Sequence, residues 1–449
     1  MTTSVHGPAE EAEGPAGSTG RPGPPRSRRA LVAGSVGNFI EWYEFGVYGW
    51  FATLVAATFF TPEGGSAAEA LVRTYASFAL AFFFRPLGAA LFGRLGDRVG
   101  RRPTLILAVL LMTAATTLIG VLPSYATIGA AAPWLLTLLR VVQGLSAGGE
   151  FGGAVALMTE FAPPGRRGLY GAWQSFTVAL GLLGGAGVAA LLGTVLTGAQ
   201  LAAWGWRVPF LLTLPMGLAA LWLRLRLEET PPFRHRHDAP AAAAPAPRAS
   251  AGEAVRAVAL GAGRLMGWSA AGYTFLVVMP SYLQNVLDAS FRQALTAAVL
   301  ANAGFAAVIL PAGALSDRVG RRPVMVSGAV VAAVAAFPLL DLLQDPGVPP
   351  AVKGLAVCGA GMVVGLMAGP GPAMLAEMFP TRVRYTGLGL AYALSNAVFS
   401  GCAGLIVTEA VRRTGDADVP AYYVAASCAV SALALATLRG DDHRRALRG

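Results

Sequence analysis

Residues 93–103 read GRLGDRVGRRP and residues 313–323 read GALSDRVGRRP, so the run DRVGRRP occurs twice without change. The two copies lie 220 residues apart, and each stands between two long apolar runs. Many membrane proteins are built from internal repeats, and a repeated loop between apolar runs is typical of them. The repeat therefore predicts a chain of two similar halves.

A second, looser repeat marks the same division of the chain. An acid, a proline and an arginine recur at a displacement of 217 residues, as Glu160, Pro163 and Arg167, then as Glu377, Pro380 and Arg384. We therefore expect the two halves to carry matching markers on corresponding loops.

The composition is that of a polytopic membrane protein. Of 449 residues, 55% are hydrophobic and 13% are charged, with a mean hydropathy of +0.57. A spanning helix needs about 20 largely apolar residues, so the chain has room for about a dozen spans and no large soluble domain. The predicted helices cover residues 31–59, 70–92, 104–122, 133–159, 169–196, 208–227, 256–284, 292–315, 324–343, 351–376, 386–410 and 420–438.

A polar stretch rich in proline, alanine and charge divides these helices six and six. The predicted parts are a disordered cytoplasmic tail (1–29), an N-terminal six-helix bundle (30–227), a cytoplasmic central loop (228–255), a C-terminal six-helix bundle (256–438) and a cytoplasmic tail (439–449). Lysine and arginine concentrate in the tails and the even-numbered loops, as cytoplasmic segments do. The sequence thus predicts a multi-pass inner-membrane protein with both termini in the cytoplasm.

The formal net charge of +10 raises the question of nucleic-acid binding. Because the basic clusters lie between apolar runs, topology and contact with anionic lipid headgroups explain them better. The cysteines and histidines lack metal-ligand spacing, and hydrolase, metalloprotease and phosphate-loop motifs are missing from the sequence. We expect neither an enzyme nor a nucleic-acid partner, metal or cofactor, and we expect a monomer in contact with membrane lipid.

The repeats offer candidates for conformational gating. Gly93 and Gly313 would let two helices approach closely, while Asp97 and Asp317 stand where a carboxylate can cap a helix or bind an arginine. The other gating candidates are charged residues of the two repeats: Arg98, Arg101, Arg318, Arg321, Glu160, Arg167, Glu377 and Arg384. Alternatively, these arginines only fix topology and bind headgroups.

Both copies resemble the inner-loop signature G-x-x-x-D-[RK]-x-G-[RK]-[RK] of the major facilitator superfamily. Finer motifs resemble the metabolite:proton symporter family, which includes transporters for proline and betaine, α-ketoglutarate, shikimate and citrate. These motifs are GNFIEWYEFGVYG (37–49), FFRPLG (83–88), RVVQGLSAGGEFGGA (140–154), WGWRVPF (204–210), LEETPPF (227–233) and AEMFPTRVRYTGLG (376–389).

The resemblance implies an all-α integral membrane fold of twelve transmembrane helices, arranged as two six-helix bundles with pseudo-two-fold symmetry. It also implies proton-coupled symport of a small organic acid or zwitterion by alternating access, with the proton gradient as energy source. Glu44 departs from the family motif E-W-[FY]-D-F, which weakens inference of the substrate from relatives. The chain ends soon after its last predicted helix, so we do not expect the C-terminal coiled coil of osmosensing members.

Two other functions stay open: efflux antiport of a small molecule, and a receptor or sensor in a transporter-like fold. The fifth-helix run GLLGGAG (181–187) contains no proline, whereas drug antiporters carry a Gly-Pro element there. The resemblance therefore disfavours efflux.

Charged residues inside apolar runs are the main site candidates, because an unpaired charge in a bilayer is costly. We expect Arg85 to bind a substrate carboxylate through its two-donor fork. Glu41 and Glu44 are the candidate proton carriers, since removal from water disfavours a charged carboxylate, and Arg140 and Glu150 complete the proton-coupling set. Alternatively, the acids only neutralise the two arginines.

Uncharged groups and one outer arginine complete the predicted substrate site. Asn38 shares a helical face with the two first-helix acids, and Arg207 follows an aromatic pair at the outer end of the sixth helix. In the second half, Tyr273, Asn302 and Asn396 either line the pocket or join helices by hydrogen bonds.

Overall fold

The computed structural model describes residues 24–61, 66–99, 101–160, 162–225, 251–380 and 384–439. Within these ranges, the side chains of a few residues, among them Asp97, Arg98 and Arg101, lie outside the description. Most of the predicted tails and central loop also falls outside it, so the predicted boundaries of those parts stay predictions.

Twelve helical crossings follow one another through the described residues. The first half contains α1 (Pro24–Trp50, continued by Ala52–Val55 and the π-helical Ala56–Phe60), α2 (Ala67–Val99), α3 (Arg101–Val121), α4 (Ala131–Glu160), α5 (Arg167–Val195) and α6 (Val208–Leu211 and Thr213–Leu225). The second half contains α7 (Ala251–Tyr273, the π-helical Thr274–Val278 and Met279–Val286), α8 (Phe291–Val319), α9 (Arg321–Gln344), α10 (Pro350–Ala368 and Gly371–Met378), α11 (Arg384–Ser395, the π-helical Asn396–Gly401 and Ala403–Thr414) and α12 (Val419–Ala436).

The helices match the predicted ones in number and order but are longer at several ends. α2 continues to Val99 rather than ending at residue 92, and α1 begins at Pro24 rather than at residue 31. The apolar signal stops near the membrane surface, whereas backbone hydrogen bonding continues through charged residues. Among the described residues, nine helices are long and apolar enough to cross a membrane.

Helix packing brings the two halves together along two seams. Within the halves, α2 packs on α4, α1 on α5 and α8 on α10; between the halves, α5 packs on α8 and α2 packs on α11. Large apolar side chains such as Leu355, Leu433 and Trp134 lie exposed on the outside. Water would oppose so much exposed apolar surface, whereas lipid solvates it.

The seam between α5 and α8 is closest at Gly313. A β-carbon there would lie 2.7 Å from the carbonyl oxygen of Gly168, so only glycine permits this contact. At Gly93 the nearest atom to a β-carbon would be Thr386 Oγ1 at 3.5 Å, an ordinary contact. The expected close approach therefore occurs at the second copy of the repeat, while the first copy has room for a methyl group.

Candidate functional site

Glu41 on α1 and Arg85 on α2 form an ion pair in the interior of the N-terminal half. The Glu41 Oε1 to Arg85 Nη2 distance is 3.2 Å, and the two side chains are 3% and 2% exposed. Glu41 Oε2 and Arg85 Nε have no hydrogen-bond partner among the described residues. Because buried polar atoms are normally satisfied, this pair retains unused capacity for a proton and for an anionic ligand.

Glu44 reaches Arg140 through two neutral side chains. Its Oε2 accepts a hydrogen bond of 2.7 Å from Thr116 Oγ1, which in turn accepts one from Gln143 Nε2. Gln143 Oε1 accepts a 2.7 Å bond from Arg140 Nη1. Glu44 and Arg140 are thus connected by a chain of hydrogen bonds through Thr116 and Gln143.

Aromatic rings cover the two buried guanidinium groups. The Arg85 guanidinium carbon lies 4.1 Å from the centroid of Phe82 and 4.3 Å from that of Phe45. The Arg140 guanidinium carbon lies 4.1 Å from the Tyr48 centroid and 5.0 Å from the Phe45 centroid. Ring faces attract cations, so Phe45 stabilises both arginines at once.

A small cavity lies between the two halves, beside the Glu41–Arg85 pair. Its volume is about 30 Å³, room for a water molecule or two. Its walls are Trp42, Val178, Leu182, Trp268, Ser269, Gly272, Tyr273, Leu276, Val277, Phe305, Tyr392, Asn396 and Ser400. In the described conformation, this cavity is therefore too small for a solute.

Glu150 on α4 pairs with Arg224 on α6. This ion pair differs from the alternative that the sequence left open, in which Glu150 neutralises Arg85 or Arg140. Arg224 Nη1 also donates to the carbonyl of Leu105 at 2.6 Å. Sequence reasoning missed Arg224, because an arginine at the end of the sixth helix fits the positive-inside pattern. The one signal in the sequence for Arg224 was Glu150 itself, a buried acid to which the predicted cluster assigned no partner.

Asn38 lies between α1 and α5 with its amide group fully used. Its Nδ2 donates to the carbonyl of Gln174 at 3.0 Å and to Thr177 Oγ1 at 2.7 Å. Its Oδ1 accepts a 3.1 Å bond from Gln174 Nε2. These hydrogen bonds join α1 to α5. In this conformation both amide donors of Asn38 are occupied by protein groups and are not available to a substrate.

The uncharged candidates of the second half divide between cavity wall and helix contacts. Tyr273 and Asn396 line the cavity, and the Tyr273 hydroxyl has no hydrogen-bond partner in the described part of the chain. Asn302 lies outside the cavity wall, where its Nδ2 donates to the carbonyls of Ala298 at 2.9 Å and Leu276 at 3.3 Å. The structure thus brings two of these three residues to the cavity.

Arg207 lies away from the cavity, in a polar surface pocket of the N-terminal half. Its Nη1 donates to the carbonyls of Gly120 at 3.0 Å and Leu122 at 2.7 Å, and its guanidinium carbon lies 4.4 Å from the Trp206 ring centroid. In this conformation Arg207 therefore ties α6 to the end of α3, which does not match the expected place in the substrate site.

The second copy of the repeat joins the two halves directly. We call the end of the bundles that carries residues 93–103 and 313–323 the repeat end. Asp317 on α8 accepts hydrogen bonds from the backbone amides of Gly168 at 2.7 Å and Leu169 at 2.9 Å, at the beginning of α5. A carboxylate at a helix N-terminus is favourable for hydrogen bonding and for the helix dipole.

Ion pairs from the looser repeat reinforce this contact. Arg321 binds Glu377 at 3.0 Å, and Glu377 also lies 3.6 Å from Arg167 of the other half. Arg384 pairs with Glu160 across the halves at 3.2 Å. These pairs, together with the Asp317 contact, close the repeat end.

Arg318 is exposed at the repeat end, whereas the side chains of Asp97, Arg98 and Arg101 are outside the described part. The opposite end of the cavity is also joined, since the hydroxyls of Tyr75 on α2 and Ser281 on α7 lie 2.7 Å apart. Hydrogen bonds thus link the two halves on both sides of the cavity.

Comparisons with known proteins agree with this architecture. The Major Facilitator Superfamily profile matches residues 45–404 and 269–448. An α-ketoglutarate permease of Escherichia coli is 37% identical over 380 residues, covering 83% of this chain and 85% of that protein. A proline/betaine transporter of Escherichia coli is 34% identical over 431 residues, covering 94% and 85%. An ectoine/proline transporter of Corynebacterium glutamicum is 35% identical over 430 residues, covering 92% and 84%.

A solved D-xylose–proton symporter superposes on the fold with a TM-score of 0.74 at 19% identity, covering 94% of this chain and all of that one. The chain therefore belongs to the major facilitator superfamily: it is an all-helical membrane transporter of twelve helices in two six-helix bundles, and it is not an enzyme.

Proposed function

We propose that this chain is a proton-coupled symporter of a small carboxylate-bearing solute, either an organic acid or a zwitterion. The observation that carries the proposal is the buried Glu41–Arg85 pair, which keeps unbonded polar atoms on both partners beside the cavity. The names of the relatives, which include transporters for proline, betaine, ectoine and α-ketoglutarate, support this substrate range.

Coupling follows from competition for Arg85. With Glu41 ionised, its carboxylate holds Arg85, and a second carboxylate gains little by approaching the neutral pair. A proton on Glu41 removes that hold, so the guanidinium becomes an uncompensated buried charge, which is costly. A solute carboxylate then supplies the missing partner through two charge-assisted hydrogen bonds. Proton and solute are bound together, which is the condition for symport.

Alternating access requires the repeat end and the opposite end to open in turn. The Asp317 contact with α5 and the Arg384–Glu160 pair are the bonds that part when the repeat end opens. We place the repeat end in the cytoplasm, together with both termini, because its loops are rich in arginine. The transporter acts as a monomer in the inner membrane, and the proton gradient drives it without a cofactor.

Uptake into proteoliposomes tests the proposal. Purified protein is reconstituted, and accumulation of radiolabelled glycine betaine, proline and α-ketoglutarate is measured with and without an imposed inward proton gradient. We expect gradient-driven accumulation of at least one solute, abolished by a protonophore. Gradient-independent uptake, or exchange of an outward-directed organic cation instead, would replace symport with facilitated diffusion or efflux.

A further inference from the structure

Four of the five aromatic side chains of the cavity wall come from three helices, and the fifth is Phe305. Trp42 comes from α1, Trp268 and Tyr273 from α7, and Tyr392 from α11. The ring centroids of Trp42 and Tyr273 are 5.9 Å apart, and those of Trp268 and Tyr392 are also 5.9 Å apart. The cavity thus lies among two ring pairs, one of which joins the two halves of the transporter.

The described residues of the cavity wall are all uncharged. Its polar groups are the hydroxyls of Ser269, Ser400, Tyr273 and Tyr392, the amide of Asn396 and the indole N–H groups of Trp42 and Trp268. A solute with two or three carboxylates would enter a site whose wall holds no cation, and burying an uncompensated charge is costly. Hydroxyl and amide donors suffice for one carboxylate, and the unpartnered Tyr273 hydroxyl is such a donor.

Arg85 does not make this wall electropositive. Its guanidinium carbon lies 5.6 Å from the Trp42 centroid, and Arg85 is not among the described residues of the cavity wall. Its charge is balanced by Glu41. While Glu41 is ionised, a cation in the cavity would therefore contact the Trp42 ring. The Glu41–Arg85 pair near that ring carries no net charge.

We propose that Trp42, Trp268, Tyr273 and Tyr392 form a cage for an alkylated ammonium group, so that the solute is a zwitterion rather than an organic acid. This inference rests on the proposed symport and narrows its substrate. Aromatic faces attract weakly hydrated ammonium groups, most strongly where water is excluded. The carboxylate of the same solute takes the hydroxyl donors of α7 and α11, and takes Arg85 once Glu41 is protonated.

The cage must widen to admit such a group, since the cavity has room for only a water molecule or two. Four of its wall residues lie in π-helical stretches: Leu276 and Val277 in α7, and Asn396 and Ser400 in α11. Such turns in long helices often accompany functional sites. Trp42 and Tyr273 belong to different halves, so a bound ammonium group would separate the halves at their contact. Solute binding in the cage therefore also favours opening.

A pair of isosteric ligands tests the cage on the unmodified protein. Glycine betaine and 3,3-dimethylbutanoate have the same shape and the same carboxylate, but the second has carbon in place of the charged nitrogen. Binding to purified full-length protein is measured by calorimetry. We expect glycine betaine to bind at least about tenfold more tightly, as desolvated cation–π contacts imply. Equal binding of the two, tighter binding of 3,3-dimethylbutanoate or α-ketoglutarate, or binding of none of them overturns the cage.

Two variants of Trp42 and one control variant show whether the preference depends on the cage. Trp42→Leu should remove the preference for glycine betaine over its neutral isostere, while Trp42→Phe should keep part of it; Trp134→Leu, at an exposed position, should leave it unchanged. Unaltered preference in a folded Trp42→Leu protein counts against the cage.

The outcomes separate this inference from the proposed function. Gradient-driven accumulation of α-ketoglutarate without glycine betaine binding leaves symport standing and removes the cage. Cage-dependent binding of glycine betaine, without any response of uptake to the proton gradient, would support the cage and contradict proton-coupled symport.

Discussion

Glu150 on α4 and Arg224 on α6 form their buried ion pair directly over the backbone of Gly37 on α1. A β-carbon at residue 37 would overlap both the guanidinium and the carboxylate, so the pair occupies the space that any larger residue would need. Helices α1, α4 and α6 are thereby fixed to one another about one helical turn before Glu41 on α1. The absence of a side chain at residue 37 thus leaves room for a charge contact between two other helices.

Substitution of Gly37 by alanine should break this junction. The methyl group forces the ends of the two side chains to move, and the cost is at most about 3–5 kcal/mol, that of leaving a buried charge without its partner. We expect a clear fall in the thermal unfolding midpoint in detergent. Gly187→Ala on α5 is the control, because a β-carbon there meets no atom within 4 Å. Equal midpoints for the two variants would show that the pair adapts without loss.

Neutralisation of Glu41 should separate exchange from accumulation. Glutamine mimics the protonated acid at every pH, so Arg85 stays available to the solute while the proton step is lost. Glu41→Gln should exchange labelled for unlabelled solute across proteoliposomes but show no accumulation with a proton gradient. Glu69→Gln, at a side chain that is 61% exposed, is the control with normal coupling. Gradient-driven accumulation by Glu41→Gln would assign the proton to another group, with Glu44 next in line.

Replacement of Arg85 by lysine keeps the charge and removes the planar fork. The ammonium group makes a single-point contact with a carboxylate and cannot stack between Phe45 and Phe82 as a guanidinium does. Loss of one charge-assisted hydrogen bond, about 1.5–3 kcal/mol, corresponds to a roughly ten- to 100-fold fall in uptake efficiency. Initial uptake rates over a range of solute concentrations measure it. Kinetics equal to those of the unmodified protein would remove Arg85 from the solute path.

The fold could be predicted from the sequence because lipid imposes two strong constraints. Every span must be apolar and long, and the repeated loop must occur at equivalent places in both halves. The helix ends were less predictable, since hydrophobicity reports the membrane boundary and not the last backbone hydrogen bond. The extension of α2 to Val99, through charged residues, is an example.

The site was only partly predictable, for a different reason. A charged residue within an apolar run is easily recognised in a sequence, so Glu41, Arg85 and Glu150 could be identified as site candidates. The partner of that last acid was not evident, because helix order along the chain does not reveal which faces meet. Aromatic residues give no such signal: Trp42 and Tyr392 resemble ordinary core residues in sequence, and only the cavity distinguishes them.

Neutralisation of Asp317 should loosen the repeat end without removing the solute site. An asparagine side chain at this position would keep one carbonyl acceptor but lose the charge that favours the N-terminus of α5 and binds Arg321. Asp317→Asn should therefore transport slowly while solute affinity is retained, because the cavity is not touched.

Opening of the repeat end can be measured as the alkylation rate of a cysteine introduced by Ser175→Cys, in a background without the native cysteines. This position is suitable because the Ser175 hydroxyl donates a hydrogen bond to the α10 carbonyl of Ala368 across the halves. We expect faster alkylation in Asp317→Asn than in Asp345→Asn, an exposed control. Unchanged alkylation with normal transport would mean that the Arg384–Glu160 and Arg167–Glu377 pairs hold the repeat end closed by themselves.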